Sequence, residues 1–212
     1  SEWLIRSILT TLAVLCLVLG LARPQWGDEK RSVQRKGVDL IFLVDTSLSM
    51  LAEDIKPSRL GKAKFEIEAF IRDLRGDRVG MVTFAGSGFL QTPLTLDHAA
   101  FLLFLDAVQV GFLPDPGTSL GQAMHFAIRA FPQKELKYKA LVLFTDGEDH
   151  EGGIEKAIEE AKQANVRIYA IGLGTAEGEP IPLKNERGER SGFKKDRSGQ
   201  MVLTKLNQPL LE

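Results

Sequence analysis

The chain has 212 residues, 44% hydrophobic and 26% charged, and its 27 Lys and Arg against 28 Asp and Glu leave a net charge of -1. That balance lacks the strong cationic field of a dedicated nucleic-acid binder, though it leaves room for a local basic patch, and the apolar content excludes a wholly disordered chain. One Cys and three His are too few for a structural zinc site or a disulfide scaffold, so a bound metal is expected to be hard and oxygen-ligated.

Residues 7–22 carry no charge, a run of 16 that Trp3, Leu4 and Ile5 extend past Arg6. With Arg6 snorkelling toward headgroups and Trp3 and Trp26 at the two interfaces, the stretch predicts a membrane helix with its flanks over residues 1–26. A signal peptide fits less well, because Ala-Arg-Pro after Leu21 is a poor cleavage site. A buried core helix also fits less well, given the all-round hydrophobicity and the exit at Arg23-Pro24. Cys16 then sits mid-helix as a small apolar residue. Arg23, Lys30, Arg31, Arg35 and Lys36 outnumber Arg6 on the other flank, so the positive-inside rule places the domain after the helix in the cytoplasm. The first residue is Ser rather than Met, which leaves room for upstream sequence, including another membrane helix.

After a linker at 27–36, short apolar runs alternate with helical patterns. Residues 38–44 form a nearly continuous apolar run, as in a parallel strand buried on both faces. Residues 59–74 read as an amphipathic helix with Phe65, Ala69 and Phe70 on its apolar side. Residues 78–85 are a strand, and 89–92 a short edge strand stopped by Pro93. Helices are expected at about 97–108 and 119–131, core strands at 140–145 and 167–173, and a helix at about 153–164 between them. This alternation predicts an α/β fold, Rossmann-like and doubly wound, around a mostly parallel sheet. Residues 175–200, rich in Gly, Pro and charge, read as an extended hairpin or mobile loop with turns at 187–188 and 198–199, closed by 201–206.

The first strand runs into Asp45-Thr46-Ser47-Leu48-Ser49, a D-x-S-x-S pattern at the carboxyl end of a strand, where open α/β sheets bind ligands. Asp45, Ser47 and Ser49 project a carboxylate and two hydroxyls from a tight loop without a nearby His or Lys to act as base. The set suits a hard cation better than a nucleophile. Thr118, in the loop entering the 119–131 helix, adds a hydroxyl, and Asp146 adds a carboxylate after another core strand. Mg²⁺ prefers octahedral oxygen ligation and keeps some waters. Three hydroxyls plus Asp45 and Asp146, directly or through water, would leave one position open. Ordinary roles compete at each place: Ser49 as a helix cap, Thr118 or Ser119 as an N-cap (Gln122 completing a capping box with Ser119), and Asp146 as a turn residue before Gly147. Glu148, Asp149, His150 and Glu151 read as a solvated rim with some reach to a partner, and His98 and His125 as structural.

The trio DTSLS, GTSLGQA and FTDGEDH resembles the metal-ion-dependent adhesion site (MIDAS) of von Willebrand factor A (VWA) domains, matching in residue type, order and placement over about residues 37–173. The resemblance implies that Ser47, Ser49 and Thr118 bind the cation, that Asp45 and Asp146 help through water, and that the open position takes a carboxylate from a protein partner. With mostly neutral hydroxyl ligands the cation stays electrophilic, which favours an acidic ligand. Mg²⁺, Mn²⁺ and Ca²⁺ all suit the set.

The apolar run ending in LARPQWG, with GVDLIFLVDTSLSM after it, is similar to the bacterial membrane-anchored Bat proteins of the aerotolerance type. Arg59-Leu-Gly-Lys-Ala-Lys and the stretch from Asp77 to Ala85 also fit. This implies a VWA domain over 37–212 at an inner membrane, acting in stress tolerance or complex assembly, with a MoxR-type AAA+ ATPase and other VWA proteins as partners. Such proteins continue through a further helix and strand, so a fragment truncated after the 175–200 segment is expected. Against this non-enzymatic reading stands a metal-dependent hydrolase or phosphatase using Asp45 as nucleophile. Thr46 and Ser47 stand where such an enzyme needs a second acid, and no Lys comes after a later strand to hold phosphate. A subunit of an ATPase-driven machine, like the VWA subunits of metal chelatases, overlaps with the first reading. The sequence has no phosphate-cradling G-x-x-x-x-G-K motif of its own.

Overall fold

The structure is a computed structural model, and it describes residues 2–22, 37–111, 117–132, 138–149, 151–184 and 190–211. The chain divides into two compact units, 1–35 and 36–212. In the first, α1 (Glu2–Leu21) is 20 residues long, about 30 Å at the usual helical rise, which matches a bilayer's hydrocarbon core. Its apolar side chains are all exposed, and it is the one helix among the described residues long and apolar enough to cross a membrane.

The second unit is built on a sheet ordered β3-β2-β1-β4-β5. Strand β1 (Asp39–Asp45) lies at its centre, parallel to β2 (Arg78–Phe84) and to β4 (Lys139–Thr145), and β5 (Val166–Gly172) runs parallel to β4. Successive side chains of β1 serve opposite faces, as the two-residue period of a strand requires. Leu40, Phe42 and Val44 join Val79, Met81, Val142 and Phe144 beneath helices α2 (Arg59–Asp73) and α3 (His98–Ala107). Ile41 and Leu43 join Val82, Phe84, Leu141 and Leu143 beneath α4 (Leu120–Arg129) and α5 (Ile154–Gln163). Both faces are therefore covered, which explains why β1 and β4 read as unbroken apolar runs. The doubly wound, mostly parallel α/β fold expected from the sequence is present.

Two local expectations fail. Helix α2 buries Leu60, Ala63, Ile67 and Ile71, whereas Phe65 is 62% exposed and Phe70, 48% exposed, reaches the core through an edge-to-face contact with Phe42 at 6.0 Å. The row that meets the sheet is the i, i+3, i+4 set of smaller residues, not the side carrying the larger aromatic rings. Strand β3 (Gly88–Thr95) does not stop at Pro93 but continues past it. It is antiparallel to β2 and its register shifts on both sides of the Met81–Thr92 pair. An edge strand tolerates a proline because the lost N–H points away from the sheet or falls at an irregularity.

After β5 the chain forms short antiparallel pairs, β6 (Glu179–Pro180) with β9 (Leu203–Thr204) and β7 (Pro182–Lys184) with β8 (Arg190–Phe193). A turn at 196–200 carries Gly199 at φ +83°, with the Gly199 N–H donating to Asp196 O at 3.1 Å. The expected turn at 187–188 lies outside the described residues. A four-residue helix, α6 (Gln208–Leu211), comes after β9.

Candidate metal centre

The carboxyl ends of β1 and β4 are adjacent, and the chain leaves them toward opposite faces, α2 below one and α5 below the other. This is the topological switch point at which α/β sheets open a binding crevice. At the end of β1, Asp45 is fully buried. Its Oδ1 accepts the Ser47 N–H at 2.9 Å, an Asx turn that reverses the chain directly after the strand. Thr46 fastens that turn to β2, its N–H and its hydroxyl both donating to Phe84 O at 2.7 and 2.9 Å. A single 3₁₀ turn, Leu48–Leu51, then brings the Ser47 and Ser49 hydroxyls within 3.0 Å of each other, both buried.

Thr118 is 3% exposed in the loop entering α4. That loop is held from two sides: the Ser119 N–H donates to Ala85 O at 2.9 Å and the Leu120 N–H to Asp149 Oδ1 at 3.1 Å. The expected Ser119–Gln122 capping box is not formed. Ser119 makes no side-chain cap bond, its buried hydroxyl has no partner among the described residues, and Gln122 Nε2 donates to Glu151 Oε2 at 2.7 Å instead. Asp149 has taken over the cap from outside the helix. Ser49 likewise caps nothing here, since α2 is capped by Ser58, whose hydroxyl accepts the Gly61 N–H at 3.1 Å.

Asp146, fully buried after β4, accepts the Glu148 N–H on Oδ1 at 3.1 Å. Its Oδ2 accepts Arg59 Nη1 at 2.8 Å and the Thr204 hydroxyl at 3.3 Å. Gly147, at φ +78°, makes the turn that a side chain would strain. All five anticipated residues thus lie buried at the carboxyl end of the sheet, and Asp45 and Asp146 are near enough to repel. Burial first, and then the charge of Asp146, push the Asp45 carboxyl up to about 7 from 3.8, against hydrogen bonds from Ser47 and Thr145 that favour its charge.

Four participants escape a reading of the sequence. Thr145, the last residue of β4, donates to Asp45 Oδ2 at 2.7 Å. Arg59, fully buried at the start of α2, pairs through Nε and Nη2 with Asp54 at 3.0 and 2.8 Å while Nη1 reaches Asp146. Burial opposes the Asp54 charge, but the Arg59 and Thr175 hydrogen bonds outweigh it and hold the carboxyl below its usual range. Thr204, in β9, receives Arg59 Nη1 at 2.8 Å and donates to Glu148 Oε1 at 2.7 Å. A cation in the first turn of a helix opposes the macrodipole, and that was the available signal for Arg59. The 148–151 run is also less of a solvated rim than expected: Glu148 and Asp149 are half-buried and committed to internal bonds, and His150 lies outside the described residues. His98 and His125 do serve structure, toward Asp77 O and Glu160 respectively.

The charges around this crevice suit a divalent ion. Once Asp45 is ionised, Asp45, Asp54 and Asp146 outnumber the Arg59 charge by two, an excess that a divalent cation would balance as it displaces the Asp45 proton. Hydroxyl and carboxylate oxygens select a hard ion. No group of three or more His, Cys, Asp or Glu with metal-holding geometry occurs among the described residues. The buried candidate oxygens are the hydroxyls of Ser47, Ser49 and Thr118 and the carboxylates of Asp45 and Asp146.

Residues 40–148 match the family model described as von Willebrand factor type A domain. An aerotolerance-related membrane protein from Bacteroides fragilis is similar in structure at TM-score 0.77 and 36% identity, over 82% of this chain and 85% of that one. BatB from Bacteroides thetaiotaomicron gives TM-score 0.77 and 37% identity over 82% and 83%. An uncharacterized protein of Borreliella burgdorferi is 30% identical over 181 residues, 84% of this chain and 53% of its own length. The chain thus spans about half the length of that curated relative.

Proposed function

The chain belongs to the von Willebrand factor type A family, with aerotolerance-related Bat-type membrane proteins among its structural neighbours, and on that footing we propose that it is a metal-dependent docking module anchored in a membrane. Domains of this type are generally protein-interaction modules and commonly bind a divalent metal. In our reading Ser47, Ser49 and Thr118 supply hydroxyl ligands, and Asp45 and Asp146 act directly or through water. The cation is Mg²⁺, with Mn²⁺ and Ca²⁺ as substitutes, and it presents one open position to an Asp or Glu carboxylate of a partner protein.

The observation that carries this reading is the pair of buried, mutually repelling carboxylates, Asp45 and Asp146, with the clustered Ser47 and Ser49 hydroxyls beside Asp45. When bound, the ion would supply an electrophilic centre for a carboxylate. The chain's own residues do the rest. Ser47 N–H and Thr145 fix the Asp45 rotamer, and Arg59 and Glu148 N–H fix that of Asp146. A nucleophilic Asp45 is disfavoured by the same facts, since both its oxygens already accept hydrogen bonds in a fully buried position. We therefore read the chain as non-enzymatic.

Helix α1 anchors the module, in our reading at a bacterial inner membrane with the VWA domain in the cytoplasm. A MoxR-type AAA+ ATPase and other VWA proteins are the partners we propose, in stress tolerance or complex assembly. The test is calorimetric titration of Mg²⁺ and Mn²⁺ into the 212-residue chain in detergent, with Asp45→Ala and Thr118→Ala beside it. A Glu-containing peptide and its Gln counterpart are then added to the loaded protein. Uptake lost in both variants, and peptide binding that needs both Glu and metal, are expected. Equal uptake by wild type and variants would sink the assignment.

A further inference from the structure

We propose that Arg59 is a positioning residue that couples the metal centre to the segment ending at β9, so that cation uptake and the seating of residues 203–207 reinforce each other. The inference rests on the metal reading above and adds a regulatory link to it.

Arg59 uses all three guanidinium nitrogens in two directions. Toward the crevice, Nη1 holds Asp146 Oδ2 at 2.8 Å. Away from it, Nη1 and Nη2 hold the Thr204 hydroxyl and carbonyl at 2.8 and 3.1 Å. Its partner Asp54 extends the grip to where the chain leaves β5, accepting the Thr175 N–H at 2.9 Å and the Thr175 hydroxyl at 3.2 Å. Gly174 lies so near the guanidinium that a Cβ there would stand 3.0 Å from Cζ. Both ends of the excursion after β5 are thereby pinned to one buried cation.

The same segment also touches Asp146 without the arginine. The Asn207 N–H donates to Asp146 O at 2.8 Å, and the Leu206 N–H donates to Thr175 O at 3.1 Å. The Thr204 hydroxyl stands among Arg59 Nη1, Asp146 Oδ2 and Glu148 Oε1. A cation engaging Asp146 fixes the carboxylate that Arg59 and Thr204 share, so ordering on one side lowers the cost of ordering on the other. Coupling of this kind is reciprocal: whatever factor the metal adds to seating, seating adds to metal affinity. Groups that orient metal ligands from behind typically alter affinity by about 10- to 100-fold when removed.

The experiment uses the 212-residue chain in detergent and its Thr204→Val, Arg59→Lys and Asp45→Ala variants. Mg²⁺ affinity is read by calorimetry, and amide exchange at Thr175, Leu206 and Asn207 is measured with and without Mg²⁺. In wild type, Mg²⁺ should slow exchange at these three amides. Thr204→Val should keep a cooperative melt, bind Mg²⁺ about tenfold more weakly, and lose the Mg²⁺-dependent part of the protection. Arg59→Lys, keeping charge but not the planar fork, should behave likewise. A purely structural Thr204 would loosen these amides equally with and without the ion, and that result overturns the coupling. If wild type binds Mg²⁺ and Asp45→Ala does not, while the three amides ignore the ion, the coupling fails and the metal reading stands. If wild type takes up no Mg²⁺, both fall.

Discussion

Thr145 donates its hydroxyl to Asp45 Oδ2 at 2.7 Å, from one strand of the sheet to its neighbour, and Thr145 Oγ1 in turn accepts the Gly147 N–H at 3.1 Å. One side chain thus sets the carboxylate at the end of β1 and the turn at the end of β4. Replacing it by Val keeps the branched shape and removes both bonds. We expect Thr145→Val to cost about 1–3 kcal/mol, the range for stranding buried polar groups, and to weaken Mg²⁺ uptake. A variant with unchanged melting temperature and unchanged uptake would show the bond to be incidental.

The metal-free chain should lose stability as pH rises from about 4 to about 7. Asp45 titrates near 7 when folded against 3.8 ordinarily, so the folded state binds more protons in that window and is favoured at its acid end. Asp54 acts in the opposite sense below that window, because its carboxyl is held under the ordinary value and its contribution disappears only as pH falls through the lowered one. Cation and proton compete for Asp45, so Mg²⁺ affinity should climb over the same range and level off above about 7. Melting curves of wild type and Asp45→Asn across the range would decide it. Identical pH profiles for the two proteins would contradict the assignment.

The buried face of α2 can be checked by a pair of substitutions. Ile67 is fully buried, so Ile67→Ala should cost about 2–5 kcal/mol through lost transfer energy and the cavity left behind. Phe65 is 62% exposed, and Phe65→Ser should stay near the ±0.5 kcal/mol expected of surface changes. Urea denaturation of the two variants gives the comparison. The reverse ranking would restore the aromatic face that the sequence pattern suggested.

Gly121 allows α4 to approach the 152–153 backbone. A Cβ there would lie 2.5 Å from Gly152 O and 2.7 Å from the Gly153 carbonyl carbon, neither of which can rotate away. Gly121→Ala should therefore displace the start of α4, costing about 1–3 kcal/mol as overpacking does. Because Thr118, a ligand in the proposed metal site, lies just ahead of that turn, Mg²⁺ affinity should drop as well. Calorimetry alongside a thermal melt would separate the two effects.

The parts of this molecule legible in its sequence are those whose physics is local. A strand covered on both faces must be apolar throughout, and β1 and β4 announce themselves that way. An Asp with alternating hydroxyls after it at a strand's end is a short-range pattern, so Asp45, Ser47 and Ser49 stand out as candidates, as do Asp146 after a second core strand and Thr118 in the loop entering a helix. Arg59 is harder to find this way, because its partner Asp146 is 87 residues distant and the one local sign, a cation against the helix dipole, does not name that partner. Thr145 and Asp45 are 100 residues apart and meet only because β1 and β4 are neighbours. The misjudged face of α2 has a related origin: which helical row faces the sheet is decided by the space available above Phe42 and Leu40, and that is set by other elements.

Strand β3 closes one side of the sheet with Pro93 and a disturbed register, and among the described residues no further strand pairs with its outer side. An unpaired strand edge is a template onto which another copy can add by backbone pairing, the first step toward aggregates. Pro93 offers no N–H for such a pairing, and the irregular register beside it interrupts a flat, continuous ladder. The proline that reads as a strand breaker thus blunts the edge, and Pro93→Val would restore one backbone N–H to it and leave the register irregularity as the remaining interruption.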